Sequence, residues 1–81
     1  MKIGSLVKAF AGKEKGKEFV VVGLDERYVY LADGKRLKAA KPKKKSLIHV
    51  KLNGQRELAL TQEELKEEKV NAKLRNFLKK E

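Results

Sequence analysis

Residues 17–24 read Lys17-Glu18-Phe19-Val20-Val21-Val22-Gly23-Leu24 (KEFVVVGL), and this stretch decides the fold. Its β-branched and aromatic residues favour a strand. Apolar side chains fall at odd and even positions alike, so both faces need cover: one fills the interior of a curled sheet or barrel, the other lies under something packed outside. Upstream, Ile3–Ala9 is a first strand, with Leu6 and Val7 apolar together. Between these strands Gly12-Lys13-Glu14-Lys15-Gly16 is a polar loop bracketed by two glycines, the residue that enters left-handed backbone at little cost, so a defined turn is expected. Downstream, Asp25-Glu26 turns the chain into a third strand, Arg27–Ala32 (RYVYLA). Asp33-Gly34 is a hairpin signal, because a type I′ turn needs positive φ at both central positions, and Lys35–Ala39 is expected to return as the fourth strand. Ala40–Ser46 reads as a basic loop holding the single proline, Pro42; Leu47–Val50 is a short fifth strand, and Asn53-Gly54 a second turn signal. Five short strands in about fifty residues leave no room for crossover helices, which implies a mainly β fold, a small antiparallel barrel or curled sheet. It is expected to occupy residues 1–56.

The remainder changes character. Thr61-Gln62-Glu63-Glu64 is a capping box, in which the Thr61 hydroxyl accepts from the Glu64 amide and the Glu64 side chain reaches back. Glu63, Glu64, Glu67 and Glu68 precede Lys73, Arg75, Lys79 and Lys80, an order that complements a helix macrodipole. A C-terminal α-helix of about five turns is therefore expected over residues 61–80, within the same single domain. Val70, Leu74, Phe77 and Leu78 share one face at helical spacing and Leu65 does not. The stripe fits docking on the sheet; the alternative is a protein partner or a second copy of the chain.

Composition narrows the function. The 81 residues carry 21 Lys/Arg against 11 Asp/Glu, a net charge of +10, and a polyanion partner suits that balance better than a small neutral substrate. The charge is uneven: residues 1–60 hold fifteen of the bases and six of the acids, whereas residues 61–81 are nearly balanced. Lys35, Arg36, Lys38, Lys41, Lys43, Lys44 and Lys45 follow one another without an acid between them. The absence of Cys excludes a disulfide framework, a zinc ribbon and a thiol nucleophile. With one His and no Cys, neither a metal nor another cofactor is expected. No catalytic Ser–His–Asp or paired-carboxylate arrangement stands out, so the chain does not read as an enzyme. No apolar run approaches the length of a membrane span and the N-terminus has no signal-peptide pattern, so a soluble, cytoplasmic protein is expected.

The segment Ser5–Ala32, SLVKAFAGKEKGKEFVVVGLDERYVYLA, resembles the KOW motif, a strand, a loop and a strand with Gly12-Lys13-Glu14-Lys15-Gly16-Lys17 as the loop. The motif occurs in ribosomal proteins and transcription-elongation factors. Asp33-Gly34 and KPKKKSLIHV (residues 41–50) resemble more closely the large-subunit ribosomal protein fourteen family of archaea and eukaryotes and its short bacterial relatives, in which a basic run precedes a strand carrying histidine. The likeness covers residues 4–52; the helix after Thr61 departs from it. It implies an SH3-like barrel and an RNA-binding, ribosomal or ribosome-associated protein whose partner is ribosomal RNA or the large subunit.

The residues agree with that expectation. Gly12 and Gly16 hold a loop that brings Lys13, Lys15 and Lys17 to a phosphate backbone, and the loop amides are further candidate donors. Lys35, Arg36, Lys38, Lys41, Lys43, Lys44 and Lys45 form the second basic element. Lysine is a mobile point charge, so this composition favours backbone and shape recognition over base reading. His49 fits either a half-buried strand residue or an RNA contact. Tyr28 and Tyr30 share a strand face and fit either core packing or stacking on unpaired bases. Two other classes compete: a protein-interaction module of the transcription-elongation type, and a small basic DNA-coating protein. The latter needs apolar wedges or exposed aromatics for a minor groove, and here Trp is absent and the one Met is at the start.

Overall fold

The computed structural model describes residues 1–79, so Lys80 of the expected helix lies outside the described residues. Five strands, β1 (Ser5–Ala9), β2 (Glu18–Leu24), β3 (Tyr28–Ala32), β4 (Lys43–Ser46) and β5 (Val50–Glu57), form one antiparallel sheet in the order β4-β3-β2-β1-β5. A helix, α1 (Val70–Lys79), follows. The stretch Phe19–Val22 is buried throughout, as its sequence demands. Phe19 and Val21 join Val7, Ala9, Val29, Leu31 and Val50 on one face of the sheet. Val20 and Val22 join Ala32, Ala39, Val70 and Leu74 on the other, under the helix.

The sheet bends to enclose the first cluster. β4 and β5 stand at opposite edges, yet only the 3-10 turn Leu47–His49 joins them. The chain from Ser46 to Val50 reaches at most about 14 Å, whereas the edges of a flat five-stranded sheet lie about 19 Å apart. The turn is tied to both sides of the bend: the Leu47 amide donates to the Arg27 carbonyl at 2.8 Å, and the Phe10 amide to the His49 carbonyl at 3.0 Å. Two irregularities add curvature. Val22 is an extra residue between the pairs Val21↔Leu31 and Gly23↔Tyr30, and residues 53–56 bulge out of β5 between Leu52↔Val7 and Glu57↔Ser5. β4 and β5 are not paired with each other, so the sheet is curled and open.

Four expectations are corrected. Lys35–Ala39 is a loop, because its backbone donors are claimed elsewhere. The Asp33 carboxylate accepts the amides of Lys35 (2.8 Å) and Leu37 (3.0 Å), and the Ala39 amide donates to Asn71 Oδ1 at 2.9 Å. Of the two turn residues only Gly34 has positive φ, so no type I′ hairpin forms. The fourth strand lies instead in the basic run, Lys43–Ser46, where a lysine-rich edge resists pairing with other chains. Leu47–His49 is the 3-10 turn, and strand pairing begins at Val50 and runs past Asn53-Gly54, with Gly54 at φ +76° inside the bulge.

The helix is shorter than expected. The capping box forms as read, Thr61 amide to Glu64 Oε1 at 2.9 Å and Glu64 amide to Thr61 Oγ1 at 3.1 Å, but it opens the 3-10 turn Glu64–Lys66. Glu67 is then extended and α1 begins at Val70. At about 100° per residue, Leu65 would lie some 140° from Val70 on a continuous helix. The break lets Leu65 pack against the same cluster as Val70 and Leu74.

Polar contacts fix α1 on the sheet. Asn71 is buried and bonded at both ends of its amide, to Ala39 and to the Glu68 carbonyl. Arg75 donates to the Gly34 carbonyl, and a Cβ at Gly34 would run into the Asn71 carbonyl, so only glycine allows this approach. Arg56, carried by the β5 bulge, lies 4.4 Å over the Phe77 ring and donates to the Phe77 carbonyl at 2.8 Å. That carbonyl belongs to the last described turn of α1, the end of a helix where side-chain donors commonly bond carbonyls.

Leu74 is fully buried and Phe77 half-buried. Leu74→Ala should therefore lower the unfolding free energy by about 3 kcal/mol, and Phe77→Ala by clearly less, as measured by urea denaturation. The Lys73 ammonium and, second, the Thr61 amide hold the Glu64 carboxyl below its ordinary pKa. With the native value below the unfolded one, Glu64 contributes stability above the usual glutamate range, and the contribution fades as pH falls through the native value. Glu64→Gln should remove that part of the acid dependence, read as a shallower loss of urea midpoint on acidification.

Candidate nucleic-acid interface

The glycine loop closes on itself. Gly12 and Gly16 have φ of +78° and +86°, and the Gly16 amide donates to the Ala9 carbonyl at 2.8 Å. The amides of Lys15 and Lys17 donate to the carbonyls of Gly12 (3.2 Å) and Glu14 (2.9 Å). These three amides, expected as candidate phosphate donors, are thus occupied by the turn. Lys13, Lys15 and Lys17 are all exposed, so the loop offers ammonium groups.

The second basic element divides by role. Lys35, Arg36, Lys41 and Lys43 are exposed. Lys38 is half-buried, with its ammonium 3.4 Å from the Gly34 carbonyl. Lys44 is exposed and lies over the Tyr28 ring at 4.2 Å from its centre. Lys45 differs most. It pairs with Val29, which places it on the inner face, and its side chain is 9 % exposed with Nζ 3.7 Å from Glu14 Oε1. A cation enclosed against a carboxylate is structural: it ties β4 to the glycine loop across the bend. His49, read as either a half-buried strand residue or an RNA contact, is exposed because it closes the 3-10 turn outside the strand ladder. Tyr30 packs half-buried beside the helix cluster, and Tyr28 stays at the surface.

The two basic elements meet. A cleft of about 340 Å³ is lined by Lys17, Lys35, Arg75 and Lys79 together with Glu18 and Asp33. A second of about 340 Å³, sharing Lys17 and Asp33, adds Arg36, Glu14 and Leu37. The three acids are already engaged: Glu14 by Lys45, Glu18 by the Asn53 side-chain amide, and Asp33 by the amides of its own loop. By contrast, Lys17, Lys35, Arg36, Arg75 and Lys79 make no ion pair with a described carboxylate. The surface therefore offers an anion five cations in a short arc that are unpaired with any described carboxylate.

Sequence reasoning missed Arg75 and Lys79, whose charge reads as ordinary dipole complementation. It also missed Lys8, Phe10 and Lys51 on the exposed side of β1 and β5. Alternation of Lys8 and Phe10 with the buried Val7 and Ala9 was the available signal. Among the described residues no helix is long and apolar enough to cross a membrane. No protein-family model matches the sequence, and comparison with curated proteins finds no match.

Lys45→Ala should release the glycine loop. Hydrogen exchange of the Gly16 amide, whose bond to Ala9 closes the loop, should accelerate several-fold. Lys44→Ala, which removes a cation stacked on Tyr28, should leave it at the parent rate. Equal exchange in all three proteins would show that the loop holds itself.

Proposed function

We propose that the chain is an RNA-binding module that grips the phosphate backbone with its glycine loop and the 35–45 basic run. The observation that carries the reading is the meeting of these two elements around clefts whose acids are all engaged internally, leaving Lys17, Lys35, Arg36, Arg75 and Lys79 unpaired with described carboxylates. Lysine predominates, so contact is with phosphate and shape more than with base edges. Five strands in this order, with a 3-10 turn between the edge strands, support an SH3-like barrel of the KOW type as the finer description of the curled sheet. With the resemblance to the ribosomal protein fourteen family, the proposed target is ribosomal RNA in or on the large subunit, in the cytoplasm.

Contact with about five phosphates of a single strand gives a slope near −3.5 for log K against log salt. Lys13, Lys15 and Lys17 changed together to Ala should flatten it by about 2, since each phosphate contact contributes about 0.7. Affinity should fall alike across RNA sequences. An unchanged slope and affinity would overturn the reading. Sedimentation of a tagged protein with the large subunit, lost on RNase treatment, would support the ribosomal target; protein partners kept after RNase would favour the transcription-elongation type of module instead.

A further inference from the structure

Phe10 is 42 % exposed at the end of β1, although the chain has only five aromatic residues from which to build a core. Its surroundings are cationic. The Lys51 ammonium lies 5.1 Å from the centre of the Phe10 ring. Lys8 stands directly opposite Lys51 in the β1–β5 register, a like-charge cross-strand pair that disfavours the folded sheet unless an anion relieves it. The exposed His49 follows on the same border, its carbonyl taking the Phe10 amide. Glu18, opposite Lys8 on the other side, has its carboxylate bonded to the Asn53 side-chain amide.

An exposed aromatic ring beside a pair of opposed lysines has the chemistry of a stacking platform: the ring takes the face of an unpaired base, and the ammonium groups take the flanking phosphates. A paired duplex cannot offer a base face at its side. We infer that Phe10, with Lys8 and Lys51, binds an unpaired nucleotide of RNA, so that the protein prefers single-stranded segments to duplex. The site rests on the RNA-binding reading and extends the interface from the glycine loop, which begins at the residue after Ala11, onto the outer face of β1 and β5.

The test uses an oligouridine and a blunt RNA duplex of equal length, with the full chain. Phe10→Leu keeps the charge and most of the apolar volume. It should weaken oligouridine binding about 5- to 100-fold, the loss expected for one stacked base, without changing the salt slope or the duplex affinity. Phe10→Trp should keep the parent affinity, and as the only tryptophan its fluorescence should be quenched by oligouridine and not by the duplex. Lys51→Ala should flatten the oligouridine slope by about 0.7. If Phe10→Leu binds oligouridine like the parent, or the tryptophan is not quenched while RNA is bound, the platform is wrong and the glycine-loop reading stands. If the parent binds neither RNA, both fail.

Discussion

No side of the run Phe19–Val22 can face water, and the rest of the molecule follows from that constraint. An isolated sheet covers one face by bending on itself and leaves the other bare. Here the bend is made by joining opposite edges through three residues, Leu47–His49, and by bulges at Val22 and at residues 53–56. The bare face is covered by Val70 and Leu74 of the helix, so the apolar stripe that could have served a partner is used by the chain itself.

The same two devices arrange the charge. Bending brings Lys45 of the edge strand to Glu14, which turns one lysine of the basic run into a tie and leaves its neighbours at the surface. Docking the helix on Gly34 and Ala39 shapes the 33–39 loop and places Arg75 and Lys79 beside Lys17 and Lys35. Core packing and surface potential are therefore coupled: the helix that dries Val20 and Val22 also completes the cationic arc. Local compensation, by an ion pair for Glu14 and by hydrogen bonds for Glu18 and Asp33, keeps those acids from neutralising it.

What could be read in the sequence was local. The two-sided burial of β2, the positive φ at Gly12 and Gly16, and the Thr61–Glu64 box each depend on residues within a few positions of one another. Failures came where a distant partner decides. Ala39 gives its amide to Asn71, so a segment with a hairpin signal becomes a loop. The lysines of β4 carry no period-two apolar pattern, because an edge strand can be polar on both sides, and only its pairing with β3 identifies it. The helix start was misplaced because Leu65 and Val70 seek one cluster from incompatible angles. Among site residues, the exposed lysines of the loop and run were legible as charge, whereas the enclosure of Lys45 and the cleft contribution of Arg75 require the folded chain.

The most direct test of an RNA-binding face built from these elements is photocrosslinking of the intact protein to RNA, with the modified peptides identified by mass spectrometry. Crosslinks should fall in residues 8–17, 35–44, 49–51 and 75–79, with few in the acid-rich connection 59–69. Crosslinks concentrated in residues 59–69, or spread evenly over every lysine, would contradict a localised phosphate-binding surface.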